Sequence, residues 1–560
     1  MDYKIYMHDN KTTYTPKTCS SGRYGHKCRF MLLVVGFMCA FSLIGIKLVE
    51  TALAQRHIYK FFAQKTTEKR ADIVDRNGHL LATNLVVASL YANPSMVKNP
   101  ASLAKKIKKI LPDKNEKKLA KRLATDKKFI WIKRHLSPDE QYEINKLGIP
   151  ALQFTPENKR VYPQKNLFSH IIGYTNIDNK GLSGIEKFLD KELKGQEQVQ
   201  LSVDLSVQHI MHEELKKGMD EFSAIGGAGV VMDAQTGEVI AMVSLPDFDP
   251  HNPSAFPQKA RFNKASLGVY EMGSTFKTFT MAMGFDAEIV TMKDGYDATN
   301  PIKKANYTIR DFHAKKRWLS VPEIFMYSSN IGAAKMAMDL GMDRQQEYLA
   351  NLGMFDSVPI ELPERGMPLF PENWAEIHTI TVSYGHGIAV TPLHMVRAIG
   401  AVVSDGEMKP ITLLRKDKAE YKERVISSKA SYNVRKLMRM VVEQGTGKNA
   451  GVLGYKVGGK TGSAEKPSSS GSYSEKAMVT SFVAAFPMDK PKYVVLVMLD
   501  EPKGTKQTFG YATGGWTAAP IVQKVISRMG SVLGIQPEYT KEEVEQIMVN
   551  KPKRRVMGML

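Results

Sequence analysis

Hydrophobic and polar positions fall into three regimes along this chain. From Phe30 to Ile46 the string FMLLVVGFMCAFSLIGI carries no charge, and Arg29 and Lys47 flank it with side chains able to snorkel, so it is long enough for one membrane-spanning helix. From Arg70 an alternating run, Arg70-Ala71-Asp72-Ile73-Val74-Asp75, leads into Arg76-Asn77-Gly78, a hairpin turn signal, and Leu80-Leu81-Ala82 returns. Pro100 to Gly148 has a helical, lysine-rich pattern broken by Phe129-Ile130-Trp131-Ile132, and its lysines read as a solvated face.

The second half opens at Leu201. Gly229 to Asp233 and Glu238 to Val243 flank a turn at Ala234-Gln235-Thr236-Gly237 and predict a hairpin. Three further strands are predicted much later, at Val457 to Thr461, Val479 to Phe486 and Tyr493 to Leu499, with long helical patterns in between. Strands from both ends of this half should therefore meet in one antiparallel sheet with helices against it, an α+β arrangement. Lys466 to Glu475, KPSSSGSYSE, reads as a polar loop, and KPKRR at Lys551 to Arg555 as a basic tail.

At 560 residues the chain exceeds one compact core and implies two or three domains. The net charge of +21 favours an anionic neighbour. No zinc finger, RNP motif or glycine-rich phosphate loop accompanies it, so nucleic acid is not the expected partner, and membrane lipid and cell-wall polymer remain. Cys19, Cys28 and Cys39 all fall in or before the apolar segment, which rules out a disulfide framework or cysteine metal site beyond it. That segment reads either as an uncleaved signal anchor or as a signal peptide cut after Ala52-Leu53-Ala54. The long polar lead and the distance to the cut favour the anchor. Lys17, Arg23, Lys27 and Arg29 against Lys47, Arg56 and Lys60 give a slight bias to an inside N-terminus.

The candidate chemistry starts at Ser274-Thr275-Phe276-Lys277. A helix beginning beside Gly273 would put serine and lysine one turn apart on one face, a nucleophile with a base beside it. Ser-x-x-Lys occurs four times, at Ser95, Ser102, Ser274 and Ser463, and its usual meaning is a polar helix face. Ser274 alone is followed by Ser328-Ser329-Asn330 and then Lys460-Thr461-Gly462. A second Ser-x-Asn, Ser431-Tyr432-Asn433, has no such surroundings. Lys277 can take a proton only when neutral, whereas a free lysine titrates near about 10.4. Burial and a second cation, Lys460, would both push it down.

Ser-x-x-Lys, Ser-x-Asn and Lys-Thr-Gly in this order are the signature of penicillin-binding proteins and serine β-lactamases. The spacing, together with Arg70-Ala71-Asp72-Ile73-Val74-Asp75-Arg76-Asn77-Gly78, Arg160-Val161-Tyr162-Pro163 and Gly181-Leu182-Ser183-Gly184-Ile185-Glu186 upstream, resembles the class B penicillin-binding proteins from Arg70 to about Pro520. Ala71 stands where that family usually has glycine, and Ser463 where threonine is commoner. The resemblance implies the penicilloyl serine transferase fold. It implies a cytoplasmic tail at 1–29, a transmembrane anchor at 30–49, a non-catalytic pedestal at 50–200, a transpeptidase domain at 201–540 and a basic tail at 541–560.

By the same resemblance Ser274, Lys277, Ser328, Asn330 and Lys460 are the catalytic residues. Ser274 is the nucleophile, Lys277 its base, Ser328 a proton relay and Asn330 a holder of the substrate amide. The backbone N–H groups of Ser274 and Ser463 form an oxyanion hole, and Thr461, Gly462 and Ser463 bind substrate, the two hydroxyls meeting a terminal carboxylate. No cofactor or metal is implied. The implied reaction is D,D-transpeptidation of peptidoglycan stem peptides carried on a lipid-linked precursor, with β-lactams as inhibitors and a membrane glycosyltransferase and other division proteins as partners. Lys460-Thr461-Gly462-Ser463-Ala464-Glu465-Lys466 and Tyr384-Gly385-His386-Gly387 look closer to the division subgroup than to the elongation one, which places the chain in the inner membrane at the septum. A β-lactamase using Glu361 or Glu364, and a β-lactam sensor with an idle site, are the competing readings. A Ser-His-Asp hydrolase is not supported, because no G-x-S-x-G string occurs.

Overall fold

The computed structural model describes residues 23–65, 70–195, 198–304, 307–416, 422–467 and 473–549. The basic tail expected at 551–555, most of the 1–29 tail and the centre of the 466–475 loop lie outside the described residues. The contact pattern divides the chain into two compact units, one of residues 1–67, 89–134 and 142–157, the other of 68–88, 135–141 and 158–560.

In the first unit the apolar run belongs to helix α1 (Arg23–Lys65), within which Arg29–Thr51 is the one described helix long and apolar enough to cross a membrane. Its 23 residues span about 35 Å at 1.5 Å per residue, and one such helix fits single-pass anchoring. The lysine-rich stretch folds as predicted. Helix α2 (Pro100–Ile110) buries Leu103, Ala104 and Ile107, and α3 (Glu116–Leu123) buries Leu119 and Leu123, while the lysines between face outward. Asn99 and Asn115 start them by accepting the backbone N–H groups of Ser102 and Lys118, both at 3.0 Å. Phe129-Ile130-Trp131-Ile132 supplies a strand at Ile130–Lys133, with Ile130 and Ile132 buried.

In the second unit, β1 (Asp72–Val74) turns through Asn77-Gly78 into the start of a strand at Leu80–Ala92, the predicted hairpin. The strings around Arg70, Arg160 and Glu186 converge here. Glu186, wholly buried, accepts hydrogen bonds from the Arg70 guanidinium and from Arg160 Nε at 2.6 Å, and Arg70 Nη1 reaches Asp190 at 2.8 Å. His170 donates Nε2–H to the Ala260 carbonyl at 3.0 Å and is pushed down to about 4 by burial.

The main sheet has five strands. Numbering on from β1, these are β2 (Gly226–Asp233), β3 (Val239–Leu245), β4 (Gly458–Pro467), β5 (Tyr473–Phe486) and β6 (Tyr493–Asp500), in the order β4-β5-β6-β2-β3 with every neighbour antiparallel. Strands from both ends of the second half meet as expected, through the pairing of β6 with β2. Both faces are covered. Along β6, Val494, Leu496 and Met498 enter one apolar core, while Tyr493, Val495, Val497 and Leu499 enter another. The first core takes in the helices at Lys277–Asp286, Pro392–Val403 and Ser428–Glu443, the second those at Leu205–Glu221 and Ala518–Val532. A strand sandwiched in this way must be apolar at every position, which is why YVVLVML reads as a continuous run.

Candidate active site

Ser274 stands in a 3₁₀ turn, Gly273–Phe276, that leads into the helix Lys277–Asp286. The sequence predicted one α-turn between serine and lysine. The tighter 3₁₀ turn stacks residues i and i+3 directly, and brings Lys277 Nζ to 3.0 Å from Ser274 Oγ. The helix is buried from Lys277 to Phe285, so the lysine enters the cleft from the core while Ser274 stays half-exposed.

Ser328 and Asn330 come from the junction between the helices Val321–Met326 and Asn330–Leu340. Ser328 adopts a left-handed φ of 62°, a conformation a serine holds only under constraint, and this turns its hydroxyl toward both lysines. The middle residue, Ser329, is buried and caps the second helix through Gly332 N at 3.0 Å. Lys277 Nζ lies 2.7 Å from the Ser328 carbonyl, 2.6 Å from Asn330 Oδ1 and 3.1 Å from Ser328 Oγ. Two of these partners are carbonyl oxygens that can only accept. A neutral amine has two N–H groups for them and one lone pair left, which faces a serine hydroxyl. Lys460 Nζ donates to the other side of Ser328 Oγ at 2.9 Å, so that hydroxyl bridges two amines.

Lys277 is held well below the usual lysine range, first by burial and then by the charge of Lys460, with Asp311 opposing. Lys460, also fully buried, is pushed down to about 7 by burial. Both causes expected from the sequence act on Lys277, and burial is the larger. Both amines are fully enclosed by protein, and the cost of desolvating an ammonium outweighs the mutual repulsion.

The strand β4 crosses in front of the nucleophile. A Cβ on Gly273, whose φ is +53°, would stand 2.5 Å from the Ser463 carbonyl oxygen, and one on Gly462 would stand 2.5 Å from the Met272 carbonyl and 2.4 Å from Ser481 Oγ. The turn that carries Ser274 and the backbone of Ser463 are thus in direct contact. Ser463 Oγ accepts Gly514 N at 3.1 Å, and Thr461 Oγ1 shares a hydrogen bond with Thr446 Oγ1 at 3.0 Å. Asn330 was expected to hold a substrate amide. Here its oxygen is taken by Lys277 and its Nδ2 donates to the Arg310 carbonyl at 3.0 Å.

The other sequence candidates lie in structural settings. Lys466, partner of Ser463 in the fourth Ser-x-x-Lys, is paired with Asp500 and Glu501 at 2.8 and 2.7 Å. Ser431 is buried inside a helix. Glu361 accepts from Thr412 Oγ1 at 2.7 Å and Leu413 N at 2.8 Å, and Glu364 from Gly184 N, so both carboxylates hold loops together.

Three supporting residues escaped the sequence reading. Asp311 accepts from Ser329 Oγ at 2.7 Å and Ile331 N at 2.9 Å, Thr446 backs Thr461, and Gly514 backs Ser463. Tyr384-Gly385-His386-Gly387 was noticed only as a subgroup mark. It straps the nucleophile turn, with Gly273 N donating to the Gly385 carbonyl at 3.3 Å and Gly387 N to Glu271 at 2.9 Å, and His386 is pushed down to about 4 by burial and then by Lys277. Only the paired glycines at Gly514-Gly515 and Gly385-x-Gly387 could have signalled these contacts.

Known proteins match this arrangement. Residues 227–527 match the penicillin binding protein transpeptidase domain, and residues 65–220 the penicillin-binding protein dimerisation domain. A protein of Caulobacter vibrioides named as a probable peptidoglycan D,D-transpeptidase FtsI is 38% identical over 542 residues, covering 93% of this chain and 91% of that one. The peptidoglycan D,D-transpeptidase FtsI of Escherichia coli K12 is 26% identical, covering 95% of each. The stage V sporulation protein D of Bacillus subtilis is 31% identical over 85% of this chain and 80% of its own length. In fold, the crystal structure of a mycobacterial penicillin binding protein 3 with aztreonam superposes with a TM-score of 0.68 at 22% identity, over 84% of this chain and 98% of that one. With the three motifs meeting at one serine and the family match covering more than half its length, the chain belongs to the penicillin-binding protein transpeptidases.

Proposed function

We propose that this chain is a peptidoglycan D,D-transpeptidase acting through a Ser274 acyl-enzyme. The observation that carries the reading is the position of Lys277 Nζ, within hydrogen-bond reach of Ser274 Oγ and anchored on two carbonyl oxygens that use its N–H groups. Ser274 Oγ attacks the carbonyl of the terminal D-Ala-D-Ala bond and gives its proton to Lys277. The proton passes through Ser328 to the leaving nitrogen, the C–N bond breaks and D-alanine departs. An amine of a neighbouring stem peptide then attacks the ester carbonyl, a new C–N bond forms, the Ser274 C–O bond breaks, and the amine's proton returns along the same route to Ser274. The N–H groups of Ser274 and Ser463 stabilise the oxyanion in both steps. Lys460 orients Ser328, and Thr461 and Ser463 take the terminal carboxylate.

On the same reading, residues 50–200 are a non-catalytic pedestal and 201–540 the transpeptidase domain. Arg29–Thr51 anchors the chain in the inner membrane with residues before it on the cytoplasmic side, and a separate membrane glycosyltransferase of the division machinery supplies the glycan. Names of relatives favour septal synthesis, the FtsI proteins above all. The test is peptide mapping after labelled penicillin, with turnover of a D-Ala-D-Ala peptide in the presence of an amine acceptor. Label at Ser274 and transfer to the amine are expected. Label surviving Ser274→Ala, or hydrolysis without any transfer, would overturn the reading. A tagged copy that follows the side wall and never the septum would overturn the division role.

A further inference from the structure

The catalytic relay is braced by a segment that no motif covers. Two small hairpins, Gly295–Asp297 with Trp318–Ser320 and Ile302–Lys304 with Tyr307–Ile309, frame the loop 310–317. That loop is fixed to the site at three points. The Arg310 carbonyl accepts Asn330 Nδ2 at 3.0 Å, Asp311 takes Ser329 Oγ and Ile331 N, and Lys315 Nζ stands 4.6 Å over the ring of Tyr327, the residue before Ser328. Its outer side is open. Phe312 is 78% exposed, its ring edge-on to His313, and Arg310, Lys315 and Lys316 are exposed with no carboxylate in salt-bridge range among the described residues. Arg317, by contrast, is spent on Glu323 at 2.6 Å. A single exposed phenylalanine is ordinary on a protein surface. An exposed phenylalanine among unpaired cations, on a loop anchored to the proton relay, is a different matter.

We propose that this loop is the landing platform for the acceptor strand, with Arg310 and Lys316 reading a carboxylate of the incoming stem peptide and Phe312 packing against its backbone. The inference rests on the transpeptidase reading. The acceptor is a second stem of the polymer that supplies the donor, so it carries a carboxylate at its own end, and the unpaired cations match that charge. The same cations disfavour an ammonium beside them, so they also hold the attacking amine in its neutral, nucleophilic form. The donor half-reaction does not need this surface, since the oxyanion strand and the carboxylate-binding hydroxyls of Thr461 and Ser463 belong to β4.

The test uses the full chain, a donor peptide ending in D-Ala-D-Ala, and two acceptors, a stem tripeptide with a free amine and terminal carboxylate and the same tripeptide as its C-terminal amide. In the wild-type chain the carboxylate acceptor is expected to be preferred, and more so at low salt. Arg310→Gln with Lys316→Gln should lower transfer to the carboxylate acceptor about 10-fold, leave the amide acceptor within about 2-fold, and remove the salt dependence. Phe312→Ala should lower both acceptors alike. Acylation by labelled penicillin should stay within about 2-fold of wild type in every variant. An unchanged preference in the double variant would overturn the platform, and so would parallel loss of penicillin acylation, which would mark the loop as a structural brace. A wild-type chain that takes penicillin but transfers to neither acceptor would overturn the proposed function, and the platform with it.

Discussion

Two buried lysines share one serine hydroxyl at the centre of the cleft, at 3.1 and 2.9 Å, so their nitrogens are at most about 6 Å apart. Two unit charges at that distance repel by roughly 3 kcal/mol at an effective dielectric of 20. The repulsion is real, but Lys277 is held well below the usual lysine range chiefly by burial and only secondarily by Lys460. The neutral form is the base, so acylation rises as pH climbs through the depressed Lys277 pKa and falls on the acid side. Lys460→Gln removes the repelling charge and raises that pKa, and the acid limb should move up by on the order of one pH unit, remaining well below the free lysine value. Lys277→Arg keeps the approximate size but stays protonated and cannot accept the serine's proton, and acylation should fall by about 10²–10⁴-fold. Acylation rates of both variants across pH are the measurement. An acid limb that stays in place in Lys460→Gln, or an active Lys277→Arg enzyme, would assign the serine's proton to another group.

Strand β4 and the turn that carries Ser274 meet at backbone distance, and glycine is the only residue that allows it on the strand side. Gly462→Ala would drive a methyl group into the Met272 carbonyl, which has no rotamer to escape through. The 3₁₀ turn and β4 should separate by a few tenths of an ångström or more, with acylation reduced about 100-fold and far-ultraviolet circular dichroism close to wild type. Acylation within 2-fold of wild type would show that the contact does not position the serine. The strands themselves were legible because β2, β3 and β6 bury both faces and so write unbroken apolar runs. Ser274, Ser328 and Lys460 were legible because each sits in a short string with a chemical reason. The 3₁₀ geometry of the first string and the left-handed φ of Ser328 were not, since both are imposed by packing against distant segments. Asp311 and Thr446 were not legible either, and Gly514 only as one of a glycine pair. Each acts through one or two hydrogen bonds to residues well separated from it in the chain, a relation with no period and no local composition.

Across the whole molecule, the strings upstream of the serine form a buried ionic knot in the same compact unit as the catalytic sheet, and chemistry could not be read from them because they carry none. Glu186 is the shared acceptor for two buried guanidiniums. Glu186→Ala leaves buried Arg160 without its carboxylate and Arg70 with Asp190 alone, and the unit should lose about 3–5 kcal/mol, measured as a lower denaturation midpoint in urea. A midpoint equal to wild type would mean that the arginines find other carboxylates. The sheet has its own consequence in time. Strand β2 is synthesised early, with its neighbour β3 directly after it, but its other edge belongs to β6, which ends at Asp500. At ~5–20 residues per second, that edge stays open for on the order of tens of seconds, with every residue of β2 destined for burial. Lys460 arrives within the same interval. An unfinished chain therefore has Ser274 and Lys277 but not the strand that carries Lys460 and the Ser463 N–H, and the site stays incomplete until almost the last part of the fold has been made.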